Sequence, residues 1–256
     1  MRCRLMAVAS LSVSYLLPSC AWCQQGSSSA QSILAGTISL LGMAGTSSVN
    51  LSGNVESKAG SSGDNGNFTA TCGVDGSSQL TLQLSSGTHK ETRSISAGVS
   101  QGAWSDPEGN LHSISSFNLS APASWFCPGI TLAQIVSRPD AQIEFIGLEE
   151  KNGANLAHFR YAEAVSAPTT VRDEIARLST VEIYLDPQST LPAVFDFNLH
   201  PDNDSSTDIP IEVRFSNYTK MNGISAPMSI EQYINSSLAL TMTVQATSPT
   251  PVISAN

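Results

Sequence analysis

Apolar and polar residues alternate with a period of two through the last third of the chain. In the first of these segments Val181, Ile183 and Leu185 alternate with more polar residues. Four more segments follow the same pattern: Phe195–Leu199, Ile211–Phe215, Met228–Ile230 and Leu238–Val244. Successive side chains of a strand point to opposite faces of a sheet, so this pattern predicts an antiparallel sheet with one apolar and one polar face.

Shorter strands are predicted in the first two thirds of the chain. They cover Val49–Val55, Phe68–Cys72, Leu80–Leu84, His89–Ile95, Leu111–Ile114, Ile143–Glu149 and Leu156–Glu163. Asn152-Gly153 separates the last two, and an Asn-Gly pair between alternating segments is a strong hairpin signal. Together with the C-terminal strands they predict a mainly antiparallel β protein.

A few short helices are also predicted, which makes the fold class α+β. Apolar residues recur at helical spacing over Ile33–Met43. Pro128 suits the first turn of a second helix, which Arg138-Pro139 ends. A third helix is expected over Thr170–Leu178.

The first 23 residues have the composition of a secretory signal peptide. Arg2 and Arg4 precede an apolar stretch from Leu5 to Leu17, with a cleavage site expected after Cys23. A lipoprotein signal is the alternative, with a lipid anchor on Cys20 after Leu17-Pro18-Ser19. We therefore expect a periplasmic or secreted protein, and no later segment is apolar enough to cross a membrane.

The remaining sequence predicts one domain with polar ends. Residues 24–32 are a Ser-, Gln- and Gly-rich linker, residues 33–247 form the domain, and residues 248–256 are a disordered tail. Two cysteines, Cys72 and Cys127, remain after signal removal, and in an exported chain they predict a disulfide, with two buried free thiols as the alternative. Neither has a Cys or His neighbour at metal-ligand spacing, so no metal is expected.

The charge of the chain argues against two classes of partner. The formal net charge is −9, from 12 basic and 21 acidic residues. Such a chain has no basic stripe to neutralise phosphates, so we expect no nucleic-acid binding and no electrostatic docking to anionic lipid surfaces.

Two polar motifs suggest chemistry, but each lacks part of its context. Gly98-Val99-Ser100-Gln101-Gly102 fits the nucleophile elbow of hydrolases, but no helix is predicted after it, and His112, His158 and His200 are equally weak candidates for its base. Asp202, Asp204, Ser206 and Asp208 alternate as in a calcium loop that lacks its Gly and Glu. We therefore expect no enzyme and no cofactor.

Two segments carry a resemblance to a known superfamily. Residues 184–192 (YLDPQSTLP) form a strand, a Pro turn and a return strand, and residues 218–227 (YTKMNGISAP) form a hairpin with Asn-Gly at its tip. With the order of elements they resemble the LolA/LolB-like periplasmic lipoprotein carriers, mainly over residues 140–245. The resemblance implies an incomplete β-barrel wrapped around helices, with an apolar cavity that shelters acyl chains.

The resemblance leads to a functional hypothesis. We expect an exported, non-catalytic binding protein that holds an apolar ligand, either a lipid or the acyl chains of a lipidated protein. The alternative is an envelope structural or protein-interaction module without a small ligand. Trp104, Trp125 and Phe126 are the candidate cavity residues, with packing near Cys72 and Cys127 as the alternative role.

Overall fold

A single antiparallel sheet of 13 strands dominates the computed structural model, which describes residues 27–59 and 62–252. The strands are β1 (Thr46–Ala59), β2 (Ser62–Gly73), β3 (Ser78–Leu84), β4 (Gly87–Ser96), β5 (Val99–Ser105), β6 (Leu111–Ser113), β7 (Ala141–Lys151), β8 (Ala154–Glu163), β9 (Val181–Leu185), β10 (Pro192–Leu199), β11 (Ile209–Met221), β12 (Ile224–Ile234) and β13 (Ser237–Pro251). Their order is β6-β5-β4-β3-β2-β1-β13-β12-β11-β10-β9-β8-β7.

The sheet consists of two meanders that meet at one seam. The first runs from β1 to β6 and the second from β7 to β13, and β1 pairs with β13 at the centre. The two edge strands, β6 and β7, are therefore consecutive in sequence. The chain between them crosses the opening that the unclosed sheet leaves.

In the part of the chain that the structure describes, three α-helices accompany the sheet: α1 (Ser27–Leu40), α2 (Pro128–Ser137) and α3 (Thr169–Ser179). Leu34 of α1 and Ile130 and Leu132 of α2 are fully buried in one core with the apolar face of the sheet. Pro128 occupies the first turn of α2, and Arg138, which precedes Pro139, is extended and ends the helix. The predicted α+β class, an incomplete barrel wrapped around helices, is confirmed.

The Asn-Gly turns form as predicted. Asn152 and Gly153 have φ angles of 53° and 77°, and Asn222 and Gly223 have 50° and 87°. A two-residue hairpin turn of this kind needs positive φ at both positions, which Asn and Gly tolerate. These turns set the registers of β7 with β8 and of β11 with β12.

The structure differs from the predicted domain limits at both ends. Helix α1 begins at Ser27, so residues 27–32 of the predicted linker are helical, because Ala30 and Leu34 bury one side of a Ser-rich turn. Strand β13 continues to Pro251, so part of the predicted tail pairs with β1, Ser48 with Thr250 and Val49 with Pro249. The predicted signal peptide and the Cys20 anchor lie outside the described residues.

The predicted disulfide between Cys72 and Cys127 is present. It joins the end of β2 to the residue before α2 and closes a loop with a sequence separation of 55. The chain-entropy model gives a loop of this length a stabilisation of about 4 kcal/mol. The bridge fixes the start of α2 against the first meander.

Candidate binding cavity

The connection from β6 to α2, residues 114–127, is called here the crossing segment. It contains a 3-10 turn at Asn118–Ser120. Arg93 of β4 is 8% exposed, and its Nη1 donates hydrogen bonds to the carbonyl oxygens of Asn118 and Ala121, each at 3.1 Å. Buried carbonyl groups need such partners, so the turn is held against the first meander.

The same turn is bonded to the second meander. Asn118 Nδ2 donates to the carbonyl oxygen of His200 at 2.8 Å, and the backbone N–H of His200 donates to Asn118 Oδ1 at 2.8 Å. His200 follows β10 directly. Asn118 therefore links the two halves of the sheet across the opening.

Two open chambers flank the crossing segment, and Arg93 lines both. The mouth chamber, about 350 Å³, lies where several strands end, and the helix chamber, about 370 Å³, lies beside α2. Both volumes fall at the lower end of the range for small-molecule sites. The mouth chamber is lined on its apolar side by Leu80, Leu82, Trp104, Trp125, Phe197, Leu199, Ile234 and Leu240.

The three aromatic candidates do not all line the same cavity. Trp104 and Trp125 both line the mouth chamber. Trp104 is 38% exposed and stacks on His112 with ring centroids 4.2 Å apart, whereas Trp125 is 6% exposed and packs edge-on against Phe126 at 5.3 Å. Phe126 is buried at a small apolar gap with Met43, Val49 and Ile224, away from the chamber lining. Phe126 therefore packs in the core beside Cys127, which is the alternative to lining the cavity.

Sequence reasoning missed the polar residues of the mouth chamber. Alternation along β4 places His89, Glu91 and Arg93 on one face, opposite Leu82, Leu80 and Ser78 of β3. Glu91 Oε1 accepts a hydrogen bond from Arg93 Nε at 2.7 Å. Both faces of this strand carry polar residues, so the pattern indicates a solvated strand and conceals its inward face.

The helix chamber mixes apolar walls with polar groups. Val74, Ile95, Leu119, Ile135 and Val181 line it together with Gln134 and Tyr161. The Tyr161 hydroxyl is buried in this lining. Burial raises the pKa of Tyr161 above its ordinary value, so the hydroxyl stays neutral.

The opposite face of the second meander is charged. Lys151 Nζ lies 2.6 Å from Asp196 Oδ2 and 2.8 Å from Glu212 Oε2, so the tip of the β7–β8 hairpin is fastened over β10 and β11. Burial alone would lower the pKa of Lys151, but the hydrogen bonds to Asp196 and Glu212 raise it instead. None of these three residues lines the mouth chamber or the helix chamber.

His158 belongs to the same charged face. Its Nδ1 lies 2.7 Å from Glu149 and its Nε2 lies 2.7 Å from Glu182, while Arg160 Nε donates to Glu182 at 2.7 Å. Burial alone would raise the pKa of Glu182, but the hydrogen bonds from His158 and Arg160 outweigh it and hold the pKa below its ordinary value. His158 is thus engaged by two carboxylates.

The hydrolase motif lacks the required geometry. Ser100 lies within strand β5, paired with Ile95, and no helix follows that strand. Of the candidate bases, His112 stacks on Trp104, and His200 is buried with its Nδ1 3.0 Å from the carbonyl oxygen of Thr207. The sharp strand-to-helix turn that exposes a nucleophilic serine is not formed at Ser100.

The aspartate-rich loop is organised by its own hydrogen bonds. Asp204 accepts from the backbone N–H of Ser206 at 2.9 Å and from the hydroxyl of Thr207 at 2.6 Å, and Asp208 pairs with Arg177 at 2.8 Å. No group of three or more His, Cys, Asp or Glu residues is arranged for a metal ion within residues 27–59 and 62–252. Over the same ranges, the helices all fall short of the length and apolar character that a membrane span requires.

Comparison with known proteins identifies the fold. No family profile matches the sequence, and no curated protein matches it. Solved structures with a similar fold include an outer membrane lipoprotein-sorting protein domain from Vibrio parahaemolyticus (11% identity, TM-score 0.53, covering 89% of this chain and 95% of that one), a DUF1329 family protein from Desulfovibrio piger (10%, 0.56, 89% and 95%) and a LolA superfamily protein from Nitrosomonas europaea (11%, 0.51, 88% and 94%). The chain therefore has the fold of the LolA superfamily, as its two hairpin segments predicted.

Proposed function

We propose that this chain is a non-catalytic binding protein that holds the apolar part of a lipid, or the acyl chains of a lipidated protein, in the mouth chamber. The observation that carries the proposal is an open chamber of about 350 Å³ with eight apolar or aromatic side chains on the inner side of an unclosed barrel. Small-molecule sites have this character: concave, mostly apolar and with a few polar groups.

The energetics favour an acyl chain as the occupant. Each methylene group moved from water to an apolar wall contributes about 0.8 kcal/mol. A ligand of this kind needs few directional contacts, which agrees with the few polar side chains on the chamber's inner side: Ser57, His89, Glu91, Arg93 and Gln232. Trp104, half-exposed at the rim, would cover the chain, and the buried Trp125 would form its floor.

The location proposed for this function is the bacterial periplasm or the outside of the cell. The disulfide between Cys72 and Cys127 suits an oxidising compartment. Proteins with this fold include a lipoprotein-sorting domain. A lipid or a lipidated protein is accordingly the proposed partner, and the protein is proposed to act without catalysis.

A second candidate function, a protein-interaction module, rests on a different feature. Strand β7 is an edge of the sheet, and Ile146 and Leu148 on it are each 42% exposed. An edge strand with exposed apolar side chains can pair with a strand from another chain. This function would need the β7 edge and not the chamber.

Tryptophan fluorescence separates the two candidates. The chain has three tryptophans, and Trp22 lies in the predicted signal peptide, so a protein that begins at residue 24 reports only on Trp104 and Trp125 of the mouth chamber. We would titrate this protein, with its disulfide formed, with fatty acids and phospholipids whose acyl chains carry bromine, a contact quencher. The binding function predicts that the bromine atoms quench tryptophan fluorescence to a saturating level and that this quenching is weaker in both Trp104→Phe and Trp125→Phe. Fluorescence that remains unquenched at saturating lipid contradicts the binding function.

A further inference from the structure

Basic residues are concentrated around the two chambers of an acidic protein. Outside residues 1–26 the sequence has ten Lys and Arg residues and all 21 Asp and Glu residues. The chamber linings include four of these basic residues, Lys58, Lys90, Arg93 and Arg138, but only two acidic ones, Asp75 and Glu91. The cavity thus has the opposite charge balance to the rest of the molecule.

Within the mouth chamber the charges are unevenly compensated. Arg93 is paired with Glu91 at 2.7 Å and is occupied by the crossing segment. Lys58 lies 3.6 Å from Glu56, a half-exposed contact of the kind that contributes little. Lys90 forms no ion pair with any residue in the described ranges. Lys90 therefore carries the uncompensated positive charge, and Lys58 beside the same chamber is only weakly compensated.

These lysines belong to the rim rather than to the inner wall. Side chains alternate along a strand, so Lys90 stands on the opposite face from His89 and Glu91, although it contributes to the lining of the chamber. Its neighbours in the lining, His89 and Trp104, lie near the end of the sheet where β4 begins and β5 ends. Long lysine side chains can bring their ammonium groups over such an apolar opening.

Arg93 sets the depth of the chamber. His89 at the rim and Arg93 at the dividing wall are four residues apart on one strand, which corresponds to about 13 Å. Each residue of an extended polypeptide contributes three main-chain bonds, so four residues correspond to about twelve bonds. An extended alkyl chain of about twelve carbons therefore has a length close to this depth. A buried, hydrogen-bonded guanidinium is an unfavourable neighbour for a longer apolar chain.

We propose that the mouth chamber takes a single-chain amphiphile of about a dozen carbons with an anionic oxygen head group, a carboxylate or a phosphate. The chain lies against Leu80 and Leu82, and the head group lies at the rim near Lys90 and Lys58. This proposal rests on the proposed binding function and names its ligand class. The net negative charge of the whole protein repels extended anionic surfaces. The lysines at the rim can still attract a single anionic head group, because their charge acts over a Debye length of about 10 Å.

Three ligands with the same chain test the proposal: dodecanoate, dodecyl phosphate and dodecanol. Fluorescence of Trp104 and Trp125 reports their binding to the protein that begins at residue 24, below the concentrations at which micelles form. At low salt we expect at least one anion to bind roughly three- to fivefold more tightly than dodecanol. The anion with the larger preference identifies the head group as carboxylate or phosphate.

The Lys90→Gln variant tests the contribution of this lysine to anion binding. Lys220→Gln is the matched control, because Lys220 is exposed at the other end of the sheet, beside the β11–β12 turn. Lys90→Gln should remove most of the anion preference and leave dodecanol binding unchanged, and roughly 0.5 M salt should do the same. Equal binding of all three ligands overturns the ligand class and leaves the proposed function intact. Binding of none of them contradicts the proposed function itself.

Discussion

Arg93 Nη1 donates a hydrogen bond of 3.1 Å to the carbonyl oxygen of Asn118, and both residues are buried. Asn118 in turn exchanges two hydrogen bonds with the backbone of His200. A single buried chain of contacts thus runs from β4 through the crossing segment to the end of β10. It holds the open sheet together across its gap and separates the mouth chamber from the helix chamber.

Replacing Arg93 with Met should destabilise the protein. The change keeps much of the side-chain volume but leaves two carbonyl oxygens without their donor and Glu91 without its partner. We expect the free energy of unfolding to fall by about 3–5 kcal/mol, the range for breaking a buried charged pair. Urea denaturation measures it, with Arg160→Met on the half-exposed outer face as control. Equal losses in both variants would contradict the role of Arg93.

Removing the disulfide should also cost stability. The Cys72→Ser/Cys127→Ser double variant loses a bridge that closes a loop with a sequence separation of 55. We expect a loss of about 4 kcal/mol in the free energy of unfolding. Urea denaturation of wild type in the presence of a reductant should shift to the same midpoint. A midpoint unaffected by both changes would show that the bridge does not constrain the unfolded chain.

Glu182→Gln should lower stability at neutral pH and not at acidic pH. The pKa of Glu182 is below its ordinary value of 4.5 in the folded protein, so its ionised form contributes stability that is present above 4.5. That contribution is lost as the pH falls through the lower, folded-state pKa. Its hydrogen bonds to His158 and Arg160 lead us to expect a deficit of about 1.5–3 kcal/mol at pH 7. A deficit of the same size at pH 7 and pH 2 would contradict this assignment.

Gly53→Ala should disrupt the seam between the two meanders. A Cβ on Gly53 would lie 2.0 Å from the carbonyl oxygen of Thr243, where β1 shifts register against β13. Because that atom belongs to the backbone of a central strand, we expect a loss of about 1–3 kcal/mol.

Gly36→Ala is the matched control, since a Cβ there meets no atom within 4 Å and Ala favours helix α1 by up to about 1 kcal/mol. Thermal unfolding of both variants decides the matter. A Gly53→Ala protein as stable as Gly36→Ala would mean that the seam has room to move.

The second meander was predictable because its residues alternate cleanly. Val181, Ile183, Phe195 and Val213 are all buried, as the period of two required. Strand β5 was missed because Val99–Ser105 has no such alternation, and it is a strand because it pairs with β4 and β6. Tertiary pairing decided its conformation rather than its own sequence.

The candidate site was predictable only in part. Trp104 and Trp125 were identified as large aromatic residues, but nothing local distinguished them from Phe126, which is buried in the core. Arg93 and Asn118 could not be found from the sequence, because their hydrogen bond joins residues 25 apart and depends on the path of the crossing segment. The charge balance of the chambers likewise depends on which strand ends meet.

Mass spectrometry of the protein purified from its native compartment without detergent tests the binding function most directly. The wild-type protein should carry a stoichiometric lipid in its native mass and release it on organic extraction. Leu82→Glu, which places a carboxylate in the chamber wall, should lose the lipid, whereas Gln83→Glu, the same charge change at the exposed next position of β3, should retain it. A wild-type protein without lipid, or the same lipid on both variants, would contradict the account.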